Sequence, residues 1–113
     1  MQIRSNEQCL VPHLSVADSF ARRFIGLMGR RSMEAGEGLL LKRCGSIHTC
    51  FMRFPIDVIY LSRAYTVLDS ETVKPWRMGK LVKGAAHVLE LPEGCRGQFP
   101  AGCRLEVKQE GAI

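Results

Sequence analysis

The chain has 113 residues, with 46% hydrophobic and 24% charged side chains and a net charge of +5 from 16 basic and 11 acidic residues. That length makes one domain, residues 1–113, able to bury about two thirds of its unfolded surface and so to hold a core without staples. The composition excludes disorder, and the mixed charges argue against a nucleic-acid footprint while favouring acidic partners. No apolar run approaches the roughly 18 residues of a membrane helix, so a membrane partner is not expected.

In chain order, the opening "MQIRSNEQCLVPHLS" lacks the apolar core of a signal peptide, which points to the cytoplasm. "CLVPHL" reads as a short edge strand with Pro12 near its end. "SVAD", Ser15 to Asp18, has the spacing of a capping box, a hydroxyl with an acid three residues on. Ala17, Phe20, Ala21, Phe24, Leu27 and Met28 then recur at helical spacing, predicting one main N-terminal helix over Val16–Met28. Arg30 and Arg31 follow its last turn, where cations suit the helix dipole. Arg30 is there either a solvated cap or an anion clamp. "RRSMEAGEG" reads as a loop.

Beyond it the period changes to 2. "GLLLKRC", "SIHTCFMRF" and "IDVIYLS" read as strands, the second with His48, Cys50 and Met52 on one face and Thr49, Phe51 and Arg53 on the other. "RAY" is a turn into a strand "TVLDSETV". "KPWRMGKLVKGA" is a loop with a basic-aromatic patch. "AHVLELPEG" and "CRLEVKQ" complete the set. The expected fold class is α+β: a compact, mostly antiparallel sheet or small partly closed barrel with one helix.

Three of these blocks carry a resemblance. "RRFIGLMGRRSMEAGEGLLL" (22–41), "IHTCFMRFPIDVIYL" (47–61) and "KPWRMGKLVKGAAHVLELPEG" (74–94) resemble, in order and over nearly the whole chain, the uncharacterised family known as domain of unknown function 192. The resemblance implies a compact, mostly β domain with a helix and no established activity. Two positions depart from its pattern. Ser62 stands where an acid usually follows the Asp-Val strand, and Cys103 follows Gly102 where Gly-Asp is usual.

The chemistry-bearing residues allow alternatives. His48 could act as acid, base or ligand, but general-base work needs an oriented partner. Asp57 after Pro55-Ile56 could orient His48, pair with Arg53, Arg22 or Arg23, or cap the Phe54-Pro55 turn. Thr49 could offer a hydroxyl to a ligand. Cys50 could be a nucleophile, though its apolar neighbours raise a thiol pKa and strand spacing holds it off His48. Cys44, His48 and Cys50 lack the second ligand pair of a zinc site, so no metal and no cofactor are expected. The five cysteines read as free thiols. There is no phosphate loop. Trp76, between Lys74 and Arg77, could be a stacking platform or could pack its loop down. Glu90 reads as facing solvent or a mouth; with Asp57 it could form a carboxylate pair only at a fitting separation.

The sequence therefore favours a non-catalytic ligand-binding or protein-interaction domain with an anionic or partly polar partner. Its surface would draw on Arg22, Arg30, His48, Thr49, Arg53, Asp57, Lys74, Trp76, Arg77 and Glu90. The alternatives are a small hydrolase-like enzyme using His48 and Asp57 with Thr49 or Cys50, and weak nucleic-acid binding, which would fall steeply with salt.

Overall fold

A computed structural model describes residues 1–5, 8–17, 27 and 29–108. Eight strands run through them: β1 (Gln2–Ser5), β2 (Gln8–Val11), β3 (His13–Ala17), β4 (Glu37–Leu41), β5 (Ile56–Leu61), β6 (Val67–Val73), β7 (His87–Pro92) and β8 (Glu106–Lys108), with one 3-10 turn at Arg96–Gln98. They form two open sheets. One is three-stranded, in the order β2-β1-β8; the other is five-stranded, β3-β4-β7-β5-β6. All pairs are antiparallel except β3 with β4.

Alternation along the strands divides the core in two. Ile59, Leu61, Leu89, Leu91 and Leu40 face the small sheet and meet Ile3, Val11 and Leu14. On the opposite face, Ile56, Val58, Tyr60, Val88 and Leu41 are covered by Ile47 and Met52 from one loop and Val82 and Ala85 from another. The central strands are thus buried on both sides. This explains why "IDVIYL" and "HVLEL" are nearly uninterrupted apolar runs.

The α+β expectation is corrected. Among the described residues there is no α-helix, and the sheets do not close into a barrel. Val16 and Ala17, placed at the start of the predicted helix, end β3 instead. Parallel pairing sets His13 beside Glu37 and runs on to Ala17 beside Leu41. Ser15, the proposed cap, lies inside that strand. A ladder of tertiary pairing overrides a local helical spacing that begins with a β-branched residue. The remainder of that helix, 18–26 and 28, lies outside the described residues, as do Arg22 and Arg23.

Other readings change as well. "CLVPHL" is two strands in different sheets, divided at Pro12, and β1 was not foreseen. "SIHTCFMRF" is not a strand but an irregular loop, touching its neighbour through one bridge, His48 with Met78. Its alternation fails because Thr49 and Met52 both turn inward while Phe51 adopts a left-handed backbone, φ 66°. β4, β5, β6 and β7 lie where the sequence was read as strand.

Candidate functional site

Two neighbouring loops, 42–55 and 74–86, cover one face of the large sheet, and neither contains an acidic residue. Wholly buried Thr49 ties them together. Its N–H donates to the Arg77 carbonyl (2.8 Å), and its own carbonyl accepts from the N–H groups of Trp76 (2.9 Å) and Met52 (3.1 Å). Its hydroxyl donates to the Lys74 carbonyl and accepts from the Arg77 N–H at 2.9 Å. The Gly79 N–H adds a bond to the Ile47 carbonyl (2.9 Å). Gly79 has no room for a side chain: a Cβ there would sit 2.5 Å from the Tyr60 hydroxyl. That hydroxyl donates to Glu71 at 2.6 Å, and Glu71 also accepts from the Lys80 N–H at 2.7 Å. Burial and the Glu71 carboxylate hold the Tyr60 phenol well above its ordinary pKa, so it stays protonated.

What this scaffold presents is apolar and cationic. The Phe51 and Trp76 rings lie 4.7 Å apart at a 57° tilt, within the range of favourable aromatic pairs. Both residues are on left-handed backbone, φ 66° and 61°, a conformation bulky residues rarely adopt. Both are more than half exposed. With Gly29, Met52 and Arg53 they line an open cleft of about 510 Å³. Arg53, Lys74, Arg77, Lys80 and Lys83 are exposed on the same loops. Lys80 pairs with Asp69 (2.7 Å), and no acid pairs with the other four among the described residues.

Asp57 belongs elsewhere. It opposes Thr72 in the β5–β6 ladder and is buried, its oxygens accepting from Thr72 Oγ1 (2.7 Å) and from the N–H groups of Gly94 and Arg96 (both 2.9 Å). It holds the turn after β7 and leads into the 3-10 turn, at the wall of a separate cleft of about 580 Å³ that also includes Asp69, Glu93 and Arg96. Its hydrogen-bond partners do not include His48 or Arg53, so neither of those expected pairings forms. His48 accepts at Nδ1 from the Cys50 N–H (3.2 Å), inside its own loop.

Arg30 makes a two-pronged contact with Glu37, the second prong at 2.9 Å, which holds the Glu37 carboxyl below its usual range. Glu90 does not face solvent. It is 3% exposed on β7, between Leu39 and Val58, and burial alone pushes its carboxyl up to about 8. It is therefore protonated near neutrality and cannot share a charge with Asp57 on the opposite face of the strand layer. No two cysteines are joined, and no cluster of three metal-binding side chains exists among the described residues.

Of the candidate residues, Trp76, Arg53, Arg77 and Thr49 come together on this loop pair. Phe51, Met78 and Leu81, exposed on the same loops, are not among the residues that the sequence marks as candidates. The available signal was the lack of any acid across two loops that are rich in apolar and basic residues.

Fold and surface together define a small two-sheet β domain with a loop-borne aromatic–cationic face. The chain belongs to the domain of unknown function 192 family, described as Uncharacterized ACR, whose model matches residues 1–106. It is similar to uncharacterised UPF0127 proteins of Pyrococcus horikoshii, at 37% identity over 84 residues (72% of this chain, 73% of the relative), and of Pyrococcus abyssi, at 37% over 86 residues (74% of each). Among solved structures it is similar to a protein of unknown function from Novosphingobium aromaticivorans, with a TM-score of 0.77 and 19% identity, covering 94% of this chain and 82% of the other. That likeness speaks to the fold alone. No helix among the described residues is long and apolar enough to cross a membrane.

Proposed function

We propose that this is a non-catalytic interaction domain whose contact face is the loop pair 46–55 and 74–86, taking an anionic partner. The observation that carries it is the exposed Phe51–Trp76 pair, held on two left-handed residues by the buried Thr49. Backbone in sparsely populated conformations costs of order 1–3 kcal/mol per residue and persists where surrounding structure imposes it, characteristically at binding sites. Here the imposed conformation holds two large rings in solvent, which folding alone does not favour. The unopposed cations around them suit an anion. Five unjoined cysteines fit a reducing compartment such as the cytoplasm.

The hydrolase reading loses support at Asp57. Three hydrogen bonds occupy its carboxylate, and none comes from His48, so the imidazole lacks that orienting group. A metabolite and partner screen on wild type beside Phe51→Ala, Trp76→Ala and Asp57→Asn separates the two readings. Binding lost with the two aromatic variants and kept with Asp57→Asn supports the interaction domain. A turnover abolished by Asp57→Asn, with the fold retained, would refute it.

A further inference from the structure

The chemical class of the partner can be narrowed by what the contact face withholds. An extended peptide is commonly bound through a free backbone edge. Here the main-chain groups of Thr49, Trp76, Arg77 and Gly79 are engaged within the loop pair. The outer edge of β6 is also blocked at its middle. The Ser70 N–H is turned onto the Asp69 carboxylate (2.8 Å), and the Ser70 carbonyl accepts from the Arg96 guanidinium (3.3 Å). Such side-chain plugs protect an edge from strand addition. What the face offers is therefore side chains: apolar tips and cations.

Those tips are graded. Phe51 and Trp76 are 59% and 57% exposed, while the aliphatic Met78 and Leu81 on the same loops reach 73% and 85%. Apart from Met1, these are all the large apolar side chains exposed among the described residues. A bilayer interface accepts this set: aliphatic groups in the acyl boundary, aromatic rings at headgroup depth, and Lys and Arg against lipid phosphates. An exposed apolar patch ringed by cations marks a contact site, and the grading from aromatic to aliphatic tips beside unopposed Lys and Arg is the pattern that a lipid interface takes up.

We infer that the loop pair 46–55 and 74–86 docks the domain on an anionic lipid surface. Met78 and Leu81 enter the acyl boundary, Phe51 and Trp76 lie at the headgroups, and Arg53, Lys74, Arg77 and Lys83 meet the phosphates. This rests on the reading of the same loops as the contact face. No membrane partner is expected from the lack of an apolar run of helix-spanning length, but surface docking needs no spanning segment.

Trp76 is the single tryptophan, so its emission reports on the face directly. The test is co-sedimentation and Trp76 fluorescence with phosphatidylglycerol-rich vesicles, phosphatidylcholine vesicles and soluble polyglutamate. The expected result is binding to the anionic vesicles with a blue shift, little binding to phosphatidylcholine alone, and release by salt. Leu81→Asp and Met78→Asp should abolish sedimentation while leaving thermal unfolding unchanged, and each of Arg53→Ala and Lys74→Ala should weaken it roughly fivefold. Equal binding to both vesicle types, no binding to either, or undiminished binding by the two aspartate variants would overturn the inference. A response to polyglutamate but not to vesicles would discard the lipid and leave the contact face standing. If the aromatic variants also keep every partner found in the screen, the contact face falls too.

Discussion

Thr49 and Arg77 are bonded in both directions, Thr49 N–H to the Arg77 carbonyl at 2.8 Å and Arg77 N–H to the Thr49 hydroxyl at 2.9 Å, although the first residue is wholly buried and the second exposed. The pair is the joint between the core and the contact face. Thr49→Val preserves shape but removes the hydroxyl, leaving the Arg77 N–H and the Lys74 carbonyl without their partner. We expect a loss of about 1–3 kcal/mol by denaturant unfolding and a fall in Trp76 fluorescence anisotropy. Unchanged anisotropy would mean that the aromatic pair is held by something other than Thr49.

Asp57 provides a graded test of turn capping. In Asp57→Asn the amide oxygen can still accept from Gly94 and Arg96, with the amide nitrogen turned to the Thr72 hydroxyl. Asp57→Ala leaves all three donors unanswered. The alanine variant should lose about 3 kcal/mol or more and the asparagine variant roughly half of that, read from urea midpoints at constant slope. Equal losses would show that charge, not hydrogen-bond count, sets the value of this residue.

His87 should make the fold acid-sensitive. It is buried, stacked on Tyr65 at 4.7 Å, and accepts at Nδ1 from the Arg43 N–H at 3.1 Å. Burial, then Lys42, Arg63 and Arg43, lower its pKa, against an opposing backbone hydrogen bond at Arg63. The unfolded chain therefore binds the proton more tightly. The stability contribution is fully present above the ordinary imidazole value of about 6.5 and is lost as pH falls from there through the lower folded value. His87→Gln should flatten the melting-temperature profile below about pH 6.5; a profile as steep as wild type would exclude His87 as its source.

Glu90 works in the opposite direction. Its folded pKa of about 8 lies above the ordinary carboxyl value, so the folded state holds the proton longer. Stability is full below about pH 4.3 and declines as pH rises towards 8, by up to about 1.4 kcal/mol for each pH unit. Glu90→Gln, neutral at every pH, should outlast wild type above pH 8 and lose that advantage near pH 5 when melting is followed across the range. A constant difference between the two proteins would place the charge in contact with solvent.

Much of this molecule was legible in its residues. The short apolar or β-branched runs in "GLLL", "TVLDSETV" and "AHVLELP", each bounded by turn residues, located β4, β6 and β7, because run length and punctuation are local properties. The lone Trp76 among cations was visible in the same way, as was the family, through its three blocks. Tertiary structure decided the rest. Val16 and Ala17 fit a helix locally, yet they pair with β4 because a parallel ladder of five residues outweighs a weak local propensity. "SIHTCFMRF" alternates like a strand, but Thr49 gives its hydrogen bonds to a loop 25 and more residues away, and no local period encodes that partner. Glu90 looked like a surface acid until β4 and β5 closed on either side of β7, since burial depends on neighbours that the sequence places far apart.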